Sequence, residues 1–329
     1  MAPQVFFLIE PFILLRASPG EISNYCRKTM MKFKIYYPAC LILAVVVALL
    51  FSGCTSQNTI DPPSGLSKTL TGKEIQVFAG SASKPPLDEA ARAFEKQNGA
   101  KVYLTYGGSG TVLSQMKLTR IGDIYIPGSP DFMSKAEKDG IIDPASIRII
   151  AYLIPSINVQ SGNPLNIQSL SDLTRPGLRV GIGNPTTVCV GLYAVEVLDY
   201  NYLLKEVYPN ILTQAASCES TAALVSLKSV DAVVGWSIFQ DWDPQNIQTV
   251  YLKPSQIPRL AYIPAAISTF AKEKDAAEAF LEFLTSATGQ EIFRKWGYDV
   301  TEKEARQYAP DAEIGGDYEL PDLYKSLSK

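Results

Sequence analysis

Small hydroxyl side chains lie at three points where a predicted strand passes into a predicted helix. They are Ser81 and Ser83, then Ser109 and Thr111, and finally Ser217, Ser220 and Thr221. Hydroxyl groups donate hydrogen bonds, and the first turn of a helix adds unpaired backbone N–H groups and a partial positive charge. A fourth turn of this kind, residues 184–191, precedes a helix. Such donors suit an anion, although any one of these residues would serve equally well as a simple N-cap.

The sequence contains few residues in patterns that are typical of catalysis. The 329-residue chain contains no His, which removes the usual general base and the usual zinc ligand. Residues 107–111 lack the Lys-Ser/Thr pair of a phosphate-binding P-loop, and the Gly-x-Ser-x-Gly spacing of a nucleophile elbow is absent. The best available acid/base pair is Asp123 with Asp131, which we interpret as packing and capping residues. We therefore predict a binding protein and not an enzyme.

Composition excludes one class of partner. The net charge is −3 and no run of Lys or Arg interrupts the body of the chain, whereas nucleic acid requires a basic stripe to neutralise phosphates. The 47% apolar and 19% charged residues are typical of a globular protein. We predict no nucleic-acid partner.

Short β-rich segments alternate with amphipathic segments along the chain. The predicted strands are residues 74–79, 101–105, 122–126, 179–182 and 231–236, and one long amphipathic helix is predicted from Ala279 to Phe293. This alternation predicts an α/β fold with a parallel sheet covered by helices on both faces. Ligands of such sheets bind at the carboxyl ends of the strands, where the hydroxyl-bearing turns lie.

The N-terminal residues have the pattern of an export signal. Lys32 and Lys34 precede the apolar residues 35–51, which end in Ser52-Gly53-Cys54. A basic start, an apolar stretch and small residues at the cleavage point describe a secretory signal peptide. Cys54 also resembles the lipidated cysteine of a lipobox. The alternative is an uncleaved membrane anchor, because the apolar stretch approaches the length of a span.

These features predict the order of the first segments. Residues 1–53 form a leader, of which 1–30 are a start-site artefact if translation begins at Met30 or Met31. Residues 54–71 combine the lipidated cysteine with a flexible Pro/Ser/Gly-rich tether. We expect an extracytoplasmic protein anchored to the outer face of the cell membrane.

Cys189 and Cys218 are the remaining cysteines outside the leader and lipobox. An even pair in an oxidising compartment, with each member at a candidate ligand turn, predicts a disulfide bond. Two free buried thiols are the alternative.

Several motifs occur together in a characteristic order, and the order carries more weight than any one of them. They are residues 77–81, 106–111, 122–126, 181–185, 191–194, 222–224, 231–236 and 279–298. In this order they resemble the molybdate-binding proteins of ABC importers, which have a periplasmic-binding-protein-like (type 2) fold. The resemblance implies two α/β lobes with the ligand in the cleft between them. Lobe 1 would comprise 72–150 plus 258–329 and lobe 2 would comprise 151–257, with hinges near 150–158 and 258–268.

The resemblance also implies a set of ligand donors. The matching positions are Ser81 and Ser109 in the first lobe, Val190 and Ser220 as backbone donors in the second, and Trp236 in place of a phenolic donor, with Ser83 and Gly110 as additional candidates. A related tungstate/molybdate branch adds two carboxylates, whose positions hold Thr187 and Gly235 here. Tetrahedral coordination by neutral donors is therefore expected.

The resemblance implies no cofactor and no metal beyond the bound oxyanion, with molybdate or tungstate as the transported ligand. The implied partners are an ABC permease and its ATPase, and the membrane through the lipid anchor; we expect a monomer. The first alternative is another anion on the same fold: sulfate, phosphate or a small organic anion. The others are an exported enzyme and a surface receptor without transport.

Overall fold

The computed structural model describes residues 70–329. The predicted leader (1–53), the lipidation at Cys54 and nearly all of the tether (54–71) lie outside the described residues. Those three expectations therefore remain predictions.

Strands and helices alternate along the described chain, as the apolar pattern predicts. The strands are β1 Glu74–Gly80, β2 Lys101–Gly107, β3 Ile124–Ile126, β4 Arg148–Leu153, β5 Pro155–Gln160, β6 Val180–Gly183, β7 Ile211–Ala215, β8 Ala232–Trp236, β9 Ile247–Tyr251, β10 Arg259–Ile267 and β11 Glu313–Ile314. The helices are α1 Lys84–Asn98, α2 Ser109–Thr119, α3 Pro130–Lys138, α4 Cys189–Tyr200, α5 Leu204–Val207, α6 Cys218–Ser226, α7 Phe239–Trp242, α8 Lys274–Thr285, α9 Ala287–Lys295, α10 Glu302–Ala305 and α11 Asp322–Leu327. The five strands predicted above all form, with ends within about two residues of their expected positions.

The strands assemble into two sheets, one in each lobe. The first sheet has the order β11-β10-β3-β1-β2, with β4 paired to β10, and the second has the order β7-β6-β8-β5-β9. The chain passes from the first sheet to the second between β4 and β5, and it returns between β9 and β10. The predicted two-lobed α/β fold is confirmed.

Neither sheet is purely parallel, which corrects the expectation drawn from the β/α alternation. β1 is parallel to β2 and β3, and β6 is parallel to β7 and β8. β10 runs antiparallel to β3 and β4, and β5 runs antiparallel to β8 and β9. The antiparallel members flank the two passages between the lobes, where the chain enters each sheet without a helical crossover.

The predicted C-terminal helix is two helices, α8 and α9. Ser286 separates them in an extended conformation (φ −69°, ψ 166°), and its hydroxyl accepts a hydrogen bond from the Gly289 N–H. Its own hydroxyl donates to the Phe283 carbonyl at the end of α8. The apolar periodicity continues through both helices, so the sequence pattern does not reveal the break. The break itself is possible because one serine can end a helix and cap the next one.

The C-terminal residues contact both lobes. After α9, α10 packs on β4 and β11 pairs with β10 in the first sheet. The last helix, α11, contacts the second lobe: the Tyr324 hydroxyl accepts a hydrogen bond from Gln214 on β7 at 3.0 Å.

One hydrophobic cluster includes residues of both lobes. It joins Phe94 and Phe280 of the first lobe to Tyr193 and Trp236 of the second. The lobes are thus in contact through apolar as well as polar groups. Among residues 70–329, none of the helices has the combination of length and apolar character needed to span a bilayer.

The packing of α1 on α8 yields a prediction for stability. Phe280 is fully buried and its ring centroid lies 5.0 Å from that of Phe94. We expect Phe280→Ala to lower the free energy of unfolding by about 3–5 kcal/mol, because it removes buried apolar contacts and leaves a cavity. Leu118→Ala is the control: this side chain is 85% exposed, and its loss should change stability by less than about 0.5 kcal/mol. Urea unfolding measures both, and equal losses would contradict this assignment of the core.

Candidate functional site

Ser81 lies where β1 ends and a short 3-10 turn begins. Its side chain is buried, and its hydroxyl oxygen accepts a hydrogen bond from the Glu219 N–H at 3.1 Å. Glu219 lies in the first turn of α6, where backbone N–H groups have no partner within the helix. A first-lobe serine is thus joined directly to the N-terminus of a second-lobe helix.

Ser109 is the first residue of α2 and is equally buried. Its hydroxyl oxygen accepts a hydrogen bond from the Gly128 N–H at 3.0 Å, and its carbonyl oxygen accepts one from the Tyr125 hydroxyl at 2.9 Å. These contacts fix the serine on the carboxyl side of β2. The structure therefore places Ser81 and Ser109 on the same edge of the first sheet, as the sequence predicts.

The two lobes meet closely beside these serines. The Gly110 N–H donates to the Thr187 carbonyl at 2.9 Å. A Cβ atom on Gly108 would lie 2.7 Å from the Thr187 carbonyl oxygen and 2.9 Å from that of Ala216, too close for any larger residue. In this closed arrangement, the Gly110 N–H therefore forms a hydrogen bond between the two lobes.

The second lobe faces the serines with the first turns of α4 and α6. Val190, the second residue of α4, is buried. Ser220 is exposed, and its N–H donates to the Ser217 hydroxyl oxygen at 3.0 Å as part of the helix cap. The structure thus directs the amide of Glu219, rather than that of Ser220, at the first lobe.

Cys189 and Cys218 begin these two helices. Both are buried free thiols whose sulfur atoms lie 3.4 Å apart, so the predicted disulfide bond is not formed in the structure. The Cys189 sulfur also lies beside Gly128 of the first lobe, where a Cβ atom would be 2.5 Å from it. Burial, reinforced by Cys218, raises the pKa of the Cys189 thiol well above its usual value, so this thiol is neutral.

Trp236, at the end of β8, is fully buried and packs against Tyr193, with ring centroids 5.1 Å apart. Neither the Trp236 indole N–H nor the Tyr193 hydroxyl has a hydrogen-bond partner in the described chain. A buried donor without a partner is uncommon and calls for an explanation. Tyr193 is one helical turn after Cys189 on α4, and no sequence pattern marks it as a site residue.

The remaining candidates have structural contacts. The Ser83 hydroxyl donates to the Gly80 carbonyl within its own turn at 3.1 Å. Asp123 accepts hydrogen bonds from the backbone N–H groups of Gln76 and Lys272 at 2.8 and 2.7 Å. Asp131 pairs with Arg259. The two carboxylates of the hypothetical acid/base pair thus have separate structural roles.

A buried ionic cluster underlies the contact between the lobes. Arg259, at the start of β10, lies 3.0 Å from Asp131 of α3 and 2.7 Å from Glu196 of α4. Its guanidinium group also covers the Tyr193 ring at 4.3 Å. All three charged residues are less than 10% exposed. One cation therefore holds a first-lobe carboxylate, a second-lobe carboxylate and the returning strand together.

Burial in this cluster changes the pKa of Glu196 and of Arg259. Desolvation raises the pKa of Glu196 above the usual value, although the contacts with Arg259 act in the opposite direction. Burial opposes the charge on Arg259 as well, but Tyr193, Glu196 and Asp131 outweigh it and raise the pKa of the guanidinium group. The arginine is consequently charged and fully engaged.

The sequence also matches a known family. The family model described as bacterial extracellular solute-binding protein matches residues 75–299, and the chain belongs to that family. It is therefore an extracytoplasmic solute-binding protein and not an enzyme, as the sequence predicts.

Three curated relatives are similar over most of their lengths. A putative binding protein of Haemophilus influenzae is 25% identical over 68% of this chain and 90% of its own. The molybdate-binding protein ModA of Escherichia coli is 22% identical over 69% of this chain and 89% of its own. A putative ABC transporter substrate-binding lipoprotein of Bacillus subtilis, YvgL, is 24% identical over 81% of this chain and 98% of its own.

Two solved structures share the fold. The periplasmic molybdate-binding protein of Azotobacter vinelandii aligns with a TM-score of 0.61 at 20% identity, over 69% of this chain and all of its own. The sulfate-binding protein SubI of Mycobacterium tuberculosis aligns with a TM-score of 0.63 at 18% identity, over 74% of this chain and 94% of its own. At these identities the comparison establishes the two-lobed binding-protein fold.

The ionic cluster generates a prediction about pH. Arg259→Met leaves Asp131 and Glu196 buried without their cation and should cost about 3–5 kcal/mol of stability near neutral pH. The pKa of Glu196 is already raised and should rise further, so the folded variant holds a proton that the unfolded chain releases. Its stability should therefore recover as pH falls through that pKa.

Urea unfolding of the variant and the native protein at several pH values between 5 and 8 measures this recovery. The control is Arg148→Met, whose partner Glu278 is 39% exposed; breaking this surface pair should cost less than about 1 kcal/mol. An Arg259→Met deficit that is small, or that stays constant with pH, would contradict the role given to the cluster.

Proposed function

We propose that this protein captures molybdate or tungstate between its two lobes and delivers it to an ABC importer. The observation that carries the proposal is the position of Ser81 and Ser109. Both hydroxyl groups are buried where the N-termini of α4 and α6 reach across from the second lobe. Hydroxyl groups and helix N-termini are the donors that bind an oxyanion.

The neutrality of the site favours a fully ionised tetrahedral dianion. In the described chain, neither Ser81 nor Ser109 has a side-chain hydrogen bond to Lys or Arg. The buried Arg259 is engaged by two carboxylates and is not available to a solute. Dipolar donors suffice in a closed cleft, because each hydrogen bond to a charged oxygen is stronger away from water.

Opening of the lobes releases the donors that now pair with each other. The Glu219 N–H and the Ser81 hydroxyl are partners across the interface, and both are able to donate to a solute oxygen placed between them. We propose that the Tyr193 hydroxyl and the Trp236 indole N–H complete the set, which gives these two buried donors a partner. The passages between β4 and β5 and between β9 and β10 act as the hinges.

The solute class is supported by the relatives. The Escherichia coli and Azotobacter vinelandii proteins carry molybdate in their names, and the order of motifs in this chain resembles the same class. Sulfate is the second candidate, because it is also a tetrahedral dianion and the sulfate-binding protein of Mycobacterium tuberculosis shares the fold. The size of the cleft would separate the two anions.

The proposed partners follow from this role. A permease and an ATPase of an ABC importer would receive the solute, and the protein would act as a monomer. We further propose that Cys54 carries a lipid that anchors the protein to the outer face of the cell membrane, as the description of the Bacillus subtilis relative as a lipoprotein suggests.

Isothermal titration calorimetry of the purified protein with molybdate, tungstate, sulfate and phosphate tests the proposal. We expect one-to-one binding of molybdate and tungstate, and little or no heat from the other two. Binding of sulfate alone would identify sulfate, the second candidate, as the solute. No heat from any of the four anions would remove the oxyanion assignment and leave an extracytoplasmic solute-binding protein of another specificity.

The same titration checks the donors. Ser81→Ala and Ser109→Ala should each weaken molybdate binding by about tenfold or more, because a hydrogen bond to a charged group contributes roughly 1.5–3 kcal/mol. Ser114→Ala is the matched control, since this exposed serine lies on α2 and its hydroxyl donates only to the Gly110 carbonyl. Equal effects of all three substitutions would count against the assigned site.

A further inference from the structure

We infer that Cys189 and Cys218 form a reversible disulfide bond that raises the affinity of the site for its solute. The regulatory part of this inference rests on the proposed function; the bond itself does not. It differs from an ordinary structural crosslink because the pair lies at the solute site and is accessible only when the lobes separate.

The two sulfur atoms are already in contact. They lie 3.4 Å apart, and a bonded pair requires about 2.05 Å, so closure needs a shift of little more than an ångström. Each cysteine is the first residue of its helix, α4 or α6. No third His, Cys, Asp or Glu within residues 70–329 joins them as a metal site. The pair is therefore suited to a redox step rather than to metal binding.

The first lobe covers this pair. A Cβ atom on Gly128 would lie 2.5 Å from the Cys189 sulfur, and Ser81 binds the N–H of Glu219, the residue after Cys218. Gly128 and Ser81 belong to the first lobe, whereas both cysteines belong to the second. Closing the lobes thus shields the thiols from any exchange partner, and opening them exposes the thiols.

The redox step balances with a disulfide as the oxidant. When the lobes are open, a thiol of the pair loses its proton to solvent, and the resulting thiolate attacks one sulfur of an external disulfide and releases a thiolate from it. The second thiolate of the pair then attacks the resulting mixed disulfide and forms the Cys189–Cys218 bond. The pair loses two protons and two electrons in total, and the external disulfide gains them and becomes two thiols. Extracytoplasmic compartments supply such disulfides.

The bond changes the solute site in two ways. It draws the Cys189 sulfur, which lies beside Gly128 of the first lobe, toward Cys218. It also fixes the first turns of α4 and α6 relative to each other, and these turns carry the Val190 and Glu219 amides. Donors that are held in place before binding lose less entropy when the solute arrives. The oxidised site should therefore bind more tightly than the reduced one.

The test compares the purified protein in dithiothreitol with the protein treated with oxidised glutathione. After alkylation and proteolysis, mass spectrometry measures the linked peptides that contain Cys189 and Cys218. We expect the link to form in the absence of solute and to form several-fold more slowly in saturating molybdate. Calorimetry should then show about tenfold tighter molybdate binding by the oxidised protein, a ratio that corresponds to ~1.4 kcal/mol.

The double variant Cys189→Ala/Cys218→Ala is the control, and its affinity should not respond to oxidised glutathione. Absence of the link in the native protein, under conditions that oxidise the unfolded chain, would overturn the inference. Equal affinities of the oxidised and reduced forms would overturn its regulatory part. If the link forms but neither form binds any of the four anions, the proposed function fails, the regulatory part fails with it, and the reversible bond stands.

Discussion

The polar groups buried between the two lobes set the main constraint on this structure. A buried donor or acceptor without a partner costs roughly 1–3 kcal/mol, so the hydroxyls and helix N–H groups at this contact have to be paired. In the closed structure some of these groups pair across the two lobes, as the Glu219 N–H does with the Ser81 hydroxyl. The Tyr193 hydroxyl and the Trp236 indole N–H are among the buried polar groups left without a partner. A solute with four oxygen atoms would accept hydrogen bonds from these hydroxyl and N–H groups, including the buried donors that now have no partner.

The buried charges at the interface neutralise one another. Arg259 binds Asp131 and Glu196 in a buried cluster that spans both lobes, so its positive charge is neutralised before a solute arrives. The cluster ties the returning strand to α3 and α4, while the neighbouring Ser81 and Ser109 remain neutral donors. One part of the interface thus maintains the alignment of the lobes, and another part is available for recognition. This division is consistent with specificity that depends on size and hydrogen bonding rather than on net charge.

Local patterns were sufficient to predict five of the eleven described strands and the positions of Ser81 and Ser109 at strand ends, because a strand, a turn and a helix start are each encoded within a few residues. They were not sufficient to choose between Glu219 and Ser220, since the choice depends on which amide Ser217 uses for its cap. Tyr193 was missed for a related reason: its lack of a partner is a property of the packed lobes. Arg259, at the head of a long apolar strand, did carry a signal, because a charged residue in such a run needs a buried partner.

Anomalous diffraction from crystals grown with molybdate or tungstate would locate the solute. We expect one strong metal peak between the lobes, surrounded by oxygen atoms within hydrogen-bonding distance of the Ser81 and Ser109 hydroxyls and of the first turns of α4 and α6. The Tyr193 hydroxyl and Trp236 indole N–H should each have gained a partner. A peak elsewhere on the protein, or a peak that one of the charged residues Arg259, Asp131 or Glu196 coordinates, would contradict the account.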